Sequence, residues 1–256
     1  RTSKSTGTLY TGDICAYSAP NALVAKSKNW NLSDNVTRAV YVFDSTVDTL
    51  PDVPSDYTYE CADIDNGDNT TTRAIYSDNV AAHMRFHNRS GLLGLSYLDT
   101  TGMINLNQLF TNCANLVSVD ASSFDTSGCH TMNDMFGLCR SLTTLTGLTN
   151  WDTAGVESMN AMFFNCESLT TLDLTDWDTG KVTNMGSIFN GCKVLTDIIG
   201  LDTWNTGSVT NMGSMFNSCS LITELDISGW NTDKVTNIIA MFQNCNSLTS
   251  LDLSGW

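Results

Sequence analysis

Hydrophobic and polar positions along this chain of 256 residues follow two regimes that meet near residue 102. In the second regime cysteine returns at Cys113, Cys139, Cys166, Cys192, Cys219 and Cys245, with separations of 26, 27, 26, 27 and 26 residues. Phenylalanine stands three residues ahead of each, at Phe110, Phe136, Phe163, Phe189, Phe216 and Phe242. An aromatic residue follows each cysteine at Phe124, Trp151, Trp177, Trp204, Trp230 and Trp256. Six copies in one phase are an internal repeat, and a repeat of this length predicts stacked units.

The best-formed copy runs from Met159 to Trp177. Met159, Met162, Phe163 and Cys166 stand at i, i+3, i+4 and i+7, the stripe of a short helix. Asn184, Asn211 and Asn237 each precede the first apolar residue of the next copy, where an asparagine side chain can cap that helix. Leu169, Leu172 and Leu174, separated by Thr and Asp, predict a short strand with one buried face. Trp-Asp-Thr or Trp-Asn-Thr then turns the chain. A unit this small cannot bury its own apolar face, so neighbouring copies must share one core. Copies with the longer spacing carry an extra glycine, Gly147 or Gly200, beside the strand. Glycine there predicts a bulge and a ladder with a two-repeat rhythm.

The pattern Leu-Thr-x-Leu-Asp-Leu-Ser-x-Trp-Asn-Thr-x-x-Val-Thr-Asn-Met-x-x-Met-Phe-x-x-Cys resembles the 26-residue bacterial surface-protein repeat. That is the BspA-like leucine-rich repeat of Gram-positive and mycoplasma surface proteins and some phage proteins. The likeness spans residues 103–256. It implies an α/β repeat, a right-handed leucine-rich-repeat solenoid of about six copies, each with a short strand and a short helix. It further implies adhesion or recognition without catalysis, and names no ligand. The first copy departs from the pattern: Leu106 and Leu109 replace methionine, Phe124 replaces tryptophan, and Cys129 takes a position held elsewhere by Val156, Val182, Val209 and Val235.

Residues 1–102 show no period. Ala39 to Phe43 alternate as a strand, Val80 to Phe86 as a second, and Asp65-Asn66-Gly67-Asp68 signals a tight turn between them. Asn35 to Ser45 resembles the segment that precedes these repeats in family members. The region is expected to be a β-rich module capping the solenoid, or, over its first thirty residues, an arm that docks elsewhere.

Composition narrows the function classes. The chain has 12 basic and 27 acidic residues, a formal net charge of −15, and only four glutamates, Glu60, Glu157, Glu167 and Glu224. Aspartate favours turns over helix interiors, which argues against long helices. Such a polyanion is repelled by phosphate backbones and anionic lipid, so neither nucleic-acid binding nor membrane attachment is expected. No run of apolar residues is long enough to span a bilayer, so membrane insertion is not expected either. Residues 103–256 hold 15 acidic and 4 basic residues, so the charge belongs mainly to the repeat. The chain begins at Arg1 rather than Met, which fits removal of a leader or excision from something longer.

No catalytic constellation, metal set or cofactor site is expected. The six phased cysteines read as buried thiols, since free cysteine packs as a small hydrophobe. Cys15 and Cys61 could pair in an oxidising compartment, and Cys129 reads as apolar filler. His83 and His87 have a zinc-like spacing but no third ligand, and on a strand they share a face with Arg85 as a mild basic patch. Asp63 to Asp68 resembles a calcium loop, but its glycine is misplaced and Ala74 stands where the bidentate glutamate belongs. The aromatics at the Trp position keep phase with the leucines and read as core. Asp120, Asp173, Asp226 and Asp252 lie outward between strand leucines, beside Thr170, Thr196, Thr223 and Thr249 and near Asp197 and Glu224. They form a candidate binding face, or a solvated sheet surface.

Two functions are therefore expected. One is a non-enzymatic extracellular recognition or adhesion module on a cell or virion surface, binding a host-surface glycan or protein through the solenoid face. The alternative is a structural, decoration or fibre part of a phage virion or surface layer, a rigid spacer in contact with neighbouring subunits. The last repeat carries no polar cap, and capping repeats are normally needed for solubility. The sequence stops at Trp256 inside a repeat, so either residues are missing there or a partner covers that end, a homo-oligomer through it being one expectation.

Overall fold

The structure of the chain, a computed structural model, describes residues 4–8, 14–15, 24–25, 36–47, 60–77 and 85–256, with side chains at 38–47, 63, 65–75 and 85–256. Eleven strands occur among them: β1 (Lys4–Thr8), β2 (Ile14–Cys15), β3 (Val24–Ala25), β4 (Val36–Asp44), β5 (Glu60–Asp65), β6 (Thr70–Ser77), β7 (Leu92–Leu98), β8 (Ser118–Asp120), β9 (Thr144–Thr146), β10 (Thr171–Asp173) and β11 (Asp197–Ile199). Seven form one sheet in the order β1-β5-β6-β4-β7-β8-β9. β4 lies antiparallel to both β6 and β7, and from β7 onward the pairing turns parallel, β7 with β8 and β8 with β9. The N-terminal strands β1, β4, β5 and β6 thus share one sheet with the first rungs, while β2 pairs with β3 and β10 with β11 in two-stranded sheets. The strand expected at Ala39 to Phe43 is β4, and Asp65 to Asp68 belongs to the hairpin turn joining β5 to β6. Most of the second expected strand lies outside the described residues, as do His83 and the side chains of Cys15 and Cys61.

The repeat stacks in register. Asn105, Thr131, Ser158, Asn184, Asn211 and Asn237 are joined by parallel bridges from one copy to the next. The six phenylalanines form a column with ring centroids 5.4–5.9 Å apart, within the range of favourable aromatic pairs. Phe124, Trp151, Trp177, Trp204 and Trp230 form a second column at 5.8–6.4 Å. Phe86 extends the first column backward, 5.8 Å from Phe110, and meets Tyr41 of β4 edge-on at 5.1 Å. One core therefore runs from the N-terminal sheet through the rungs. The ladder geometry reaches back before residue 103: three residues after Phe86, Arg89 stands where the later copies have cysteine.

The helix expected in each copy is absent, so the fold is not an α/β solenoid. No α-helix occurs among the described residues, only two 3-10 turns at Leu148–Asn150 and Leu201–Thr203. Hydrogen-bond arithmetic explains why. An isolated helix over Met159 to Cys166 would leave its first four N–H groups without intrahelical partners. In the rung, the N–H groups of Met159, Ala161, Phe163 and Asn165 donate to Asn184, Gly186, Ile188 and Asn190 of the next copy at 2.7–3.0 Å. Met162, Phe164 and Cys166 donate three residues back at 3.0–3.3 Å, and the Asn160 N–H reaches the Asn133 side chain. Every N–H in the segment is satisfied. The conformation requires left-handed backbone at its third and seventh positions, as at Ala161 (φ 56°) and Asn165 (φ 54°). That strain, about 1–2 kcal/mol for each L-residue, is offset by the bonds between rungs.

The extra glycines do not bulge the strands. Registers of β8 with β9 and of β10 with β11 are regular, and the additional residue is absorbed after the strand in a 3-10 turn. Gly147 (φ 81°) and Gly200 (φ 95°) lead those turns, and a Cβ there would lie 2.3 and 2.8 Å from the backbone nitrogens of Ser122 and Thr175. The turns occur in alternate copies, which is the two-repeat rhythm the spacing predicts.

Candidate functional site

The candidate face grows out of the strand positions of the rungs. On β10, Leu172 is buried while Thr171 and Asp173 on either side face out, the alternation of a strand with one wet face. Asp173, Asp226 and Asp252 are exposed and Asp120 is half-buried; Thr170, Thr196, Thr223, Thr249 and Glu224 are exposed. Glu224, Asp226 and Asp252 are brought together in an open groove that also includes Leu225, Ser228, Ser250 and Leu251. In the longer copies the acidic position holds Thr146 or Ile199, and Ile199 is 47% exposed. The face is therefore acidic with apolar interruptions rather than a uniform anionic stripe.

Each outward aspartate also shapes its own turn. Asp120 accepts from the N–H and hydroxyl of Ser122 at 3.0 and 2.6 Å, and Asp173 accepts from those of Thr175 at 3.1 and 2.6 Å. Asp226 accepts from the Ser228 hydroxyl and Asp252 from the Ser254 N–H, both at 2.9 Å. The bonds from Ser254 hold the Asp252 carboxyl below its usual range. The hydroxyls of Thr196 and Thr249 donate to the carbonyls of Thr170 and Thr223 in the preceding rung, at 3.0 and 3.2 Å. Hydroxyls in this row thus fasten rungs together as well as facing solvent. Carboxylates fixed in this way present acceptors of one sign, suited to a partner rich in hydrogen-bond donors.

The other singled-out residues lie inside. Phe110, Phe136, Phe163, Phe189 and Phe216 are fully buried, Phe242 partly, and Trp151, Trp177, Trp204 and Trp230 are at most 4% exposed. The seven cysteines whose side chains are described are free. Cys113, Cys139, Cys166, Cys192, Cys219 and Cys245 each donate a thiol to the backbone carbonyl of a phenylalanine in the preceding rung, at 2.9–3.1 Å. Burial pushes the Cys113 and Cys192 thiols up to about 12, and it raises Cys139, Cys166 and Cys219 as well. Thiols held in this state are poor nucleophiles and poor metal ligands. Cys129 is buried beside the Thr131 carbonyl. Among the described residues, no three His, Cys, Asp or Glu side chains are placed to hold a metal ion, and no helix is long and apolar enough to cross a membrane. Arg85, expected in a surface patch, donates its guanidinium to the carbonyls of Asn105 and Asn107.

Two side-chain ladders are not evident from the hydrophobic pattern. Thr100, Thr153, Thr179 and Thr206 are buried and donate to carbonyls of the next rung at 2.9–3.0 Å; the recurring threonine after Trp-Asp or Trp-Asn is the signal that marks Thr153, Thr179 and Thr206, whereas Thr100 follows Leu98-Asp99. The second is an asparagine ladder that changes position along the chain. In the early rungs Asn107 accepts from Thr131 and Asn133 from Ser158, at 2.7 and 2.6 Å. Later, Asn211 donates to Asn184 and Asn237 to Asn211, both at 2.9 Å. Asn184, Asn211 and Asn237, expected as helix caps, instead bond to one another and accept from the N–H two residues on. Gly186 and Gly213 sit where the earlier rungs have asparagine, and a Cβ on either would lie 2.7 or 2.6 Å from the next asparagine's amide nitrogen.

A search of curated proteins finds no match to this chain. Among solved structures, the chain is similar to a leucine-rich repeat protein from Eubacterium ventriosum at 15% identity and a TM-score of 0.32, over 75% of this chain and 54% of that one. The chain thus spans about half the length of that protein. A family model matches residues 81–194 and again 167–256, so that the two matches together cover the whole stacked ladder. The chain belongs to the family described as "Mycoplasma protein of unknown function, DUF285".

Proposed function

We propose that this chain is a non-enzymatic recognition module of an extracellular surface, binding a host-surface glycan or protein through the outward strand face of its ladder. The observation that carries the reading is an exposed set of carboxylate and hydroxyl oxygens, Asp173, Asp226, Asp252 and Glu224 beside Thr170, Thr196, Thr223 and Thr249, backed by an unbroken stacked core. A fixed acceptor surface loses little freedom on binding, which favours affinity. Its partner must supply donors, either sugar hydroxyls or lysine and arginine side chains. The net charge of −15 agrees with a neutral or basic partner and disfavours nucleic acid.

The test is a triple variant, Asp173→Asn, Asp226→Asn and Asp252→Asn, assayed for binding to a glycan array and to host-cell surfaces. Asparagine keeps the turn-forming oxygen and removes the charge. Binding should weaken by about tenfold or more with unfolding unchanged. Unaltered binding would reject this face.

A second reading follows from the continuous phenylalanine column, which ties each rung to its neighbours. On that reading the chain is a spacer or assembly part of a virion or surface layer. Stable self-assembly in solution, without glycan or cell binding, would favour it; a monodisperse monomer that binds would favour recognition.

A further inference from the structure

The chain contains two Asn-Gly steps, Asn66-Gly67 and Asn190-Gly191, in opposite surroundings. Asn66 and Gly67 are exposed in the turn between β5 and β6, and Gly67 has φ 78° with nothing within 4 Å of a would-be Cβ. Three side-chain bonds converge there. The Gly67 N–H donates to Asp65 Oδ1 at 2.8 Å. The Thr72 hydroxyl donates to Asn66 Oδ1 at 3.1 Å, and Asn66 Nδ2 donates to Thr70 Oγ1 at 2.9 Å.

We propose that Asn66 is a self-modifying site at which Asp65 and Thr72 promote conversion of the asparagine, through a cyclic imide, to aspartate and isoaspartate. Asp65 takes the proton from the Gly67 nitrogen, as a general base within hydrogen-bond reach can. That nitrogen forms a bond to Asn66 Cγ, and the displaced carbonyl electron pair moves to Oδ1, where the Thr72 hydroxyl stabilises the developing charge. The Cγ–Nδ2 bond then breaks and ammonia leaves with the proton from Asp65. Water opens the ring at either carbonyl, giving aspartate or the isoaspartyl linkage. Glycine leaves the attacking nitrogen unhindered. At Asn190 the same dipeptide is held apart from this chemistry: Gly191 is buried and its N–H is committed to the Asn217 carbonyl at 2.8 Å in the ladder. Conversion at Asn66 adds a negative charge between Asp65 and Asp68, and the isoaspartyl form lengthens the backbone beside the 3.0 Å bond from Asn66 N–H to the Thr70 carbonyl. The hairpin therefore carries a slow, one-way change of charge and shape.

The experiment incubates the whole chain in mildly alkaline buffer and follows each Asn-Gly step by peptide mass mapping with enzymatic detection of isoaspartate. Asn66 should convert with isoaspartate as a product while Asn190 stays an amide. Asp65→Asn, which keeps an acceptor in the turn, and Thr72→Val should each slow conversion by about fivefold or more. An Asn66 that stays intact while an unstructured peptide of the same sequence converts would overturn the proposal. So would conversion at an unchanged rate in either variant.

Discussion

Phe163 shows what one residue contributes to a stacked ladder. Its ring lies 5.8 Å from Phe136 and 5.9 Å from Phe189, nearly parallel to both, so truncation removes two stacking contacts and opens a cavity between rungs. Phe163→Ala should cost about 3–5 kcal/mol, measured by denaturant unfolding; a loss below about 1 kcal/mol would remove Phe163 from the core. The thiols predict a pH dependence. Cys113 and Cys192 are pushed from an ordinary 9.0 to about 12 by burial, so above pH 9 the unfolded chain sheds protons that the fold retains. Their contribution is full below pH 9 and is lost as pH rises toward 12. Stability should decline over that window, and replacing both cysteines by alanine should flatten the decline. The inward roles of Phe163 and the cysteines are legible in the sequence because their phase never breaks. The asparagine ladder is not, because its amide moves from Asn107 and Asn133 to Asn184, Asn211 and Asn237, and a position-by-position comparison sees only an exchange of asparagine and glycine.

At the scale of the element, spacing is legible in the sequence and conformation is not. Met159, Met162, Phe163 and Cys166 share one face whether the segment is helical or built from linked turns with left-handed residues, so periodicity cannot separate the two. The third, left-handed position of the segment carries Gln108, Asp134, Ala161, Ser187, Ser214 and Ala240 rather than glycine, and at the seventh only Gly191 is one, which hides the usual marker. Glycine does speak at Gly147 and Gly200, where the positive φ and the close backbone coincide. Gly147→Ala should destabilise by about 1–3 kcal/mol. Gly128→Ala, with nothing within 4 Å and no positive φ, should change stability by less than about 0.5 kcal/mol. Equal effects in thermal or denaturant unfolding would contradict the role given to the 3-10 turns.

For the whole molecule, the repeat and its six copies are legible in the shared phase of phenylalanine and cysteine, whereas the junction with the N-terminal sheet is not. Residues 85–98 join the ladder without its cysteine or tryptophan and with Arg89 in the cysteine position, so the period fails just where stacking begins. Arg85 covers two carbonyls of the first full rung, while β4 pairs with β7 and carries the sheet outward. Bonds between rungs alternate with bonds inside each rung, and the outward face inherits its rigidity from that ladder. Native-state amide exchange at Met159 and Ala161 tests this most directly. Stacked rungs bind both N–H groups to Asn184 and Gly186, so both should exchange slowly. Fast exchange at these two amides, with protection beginning only at Phe163, would mark a helix with a free first turn and contradict the ladder.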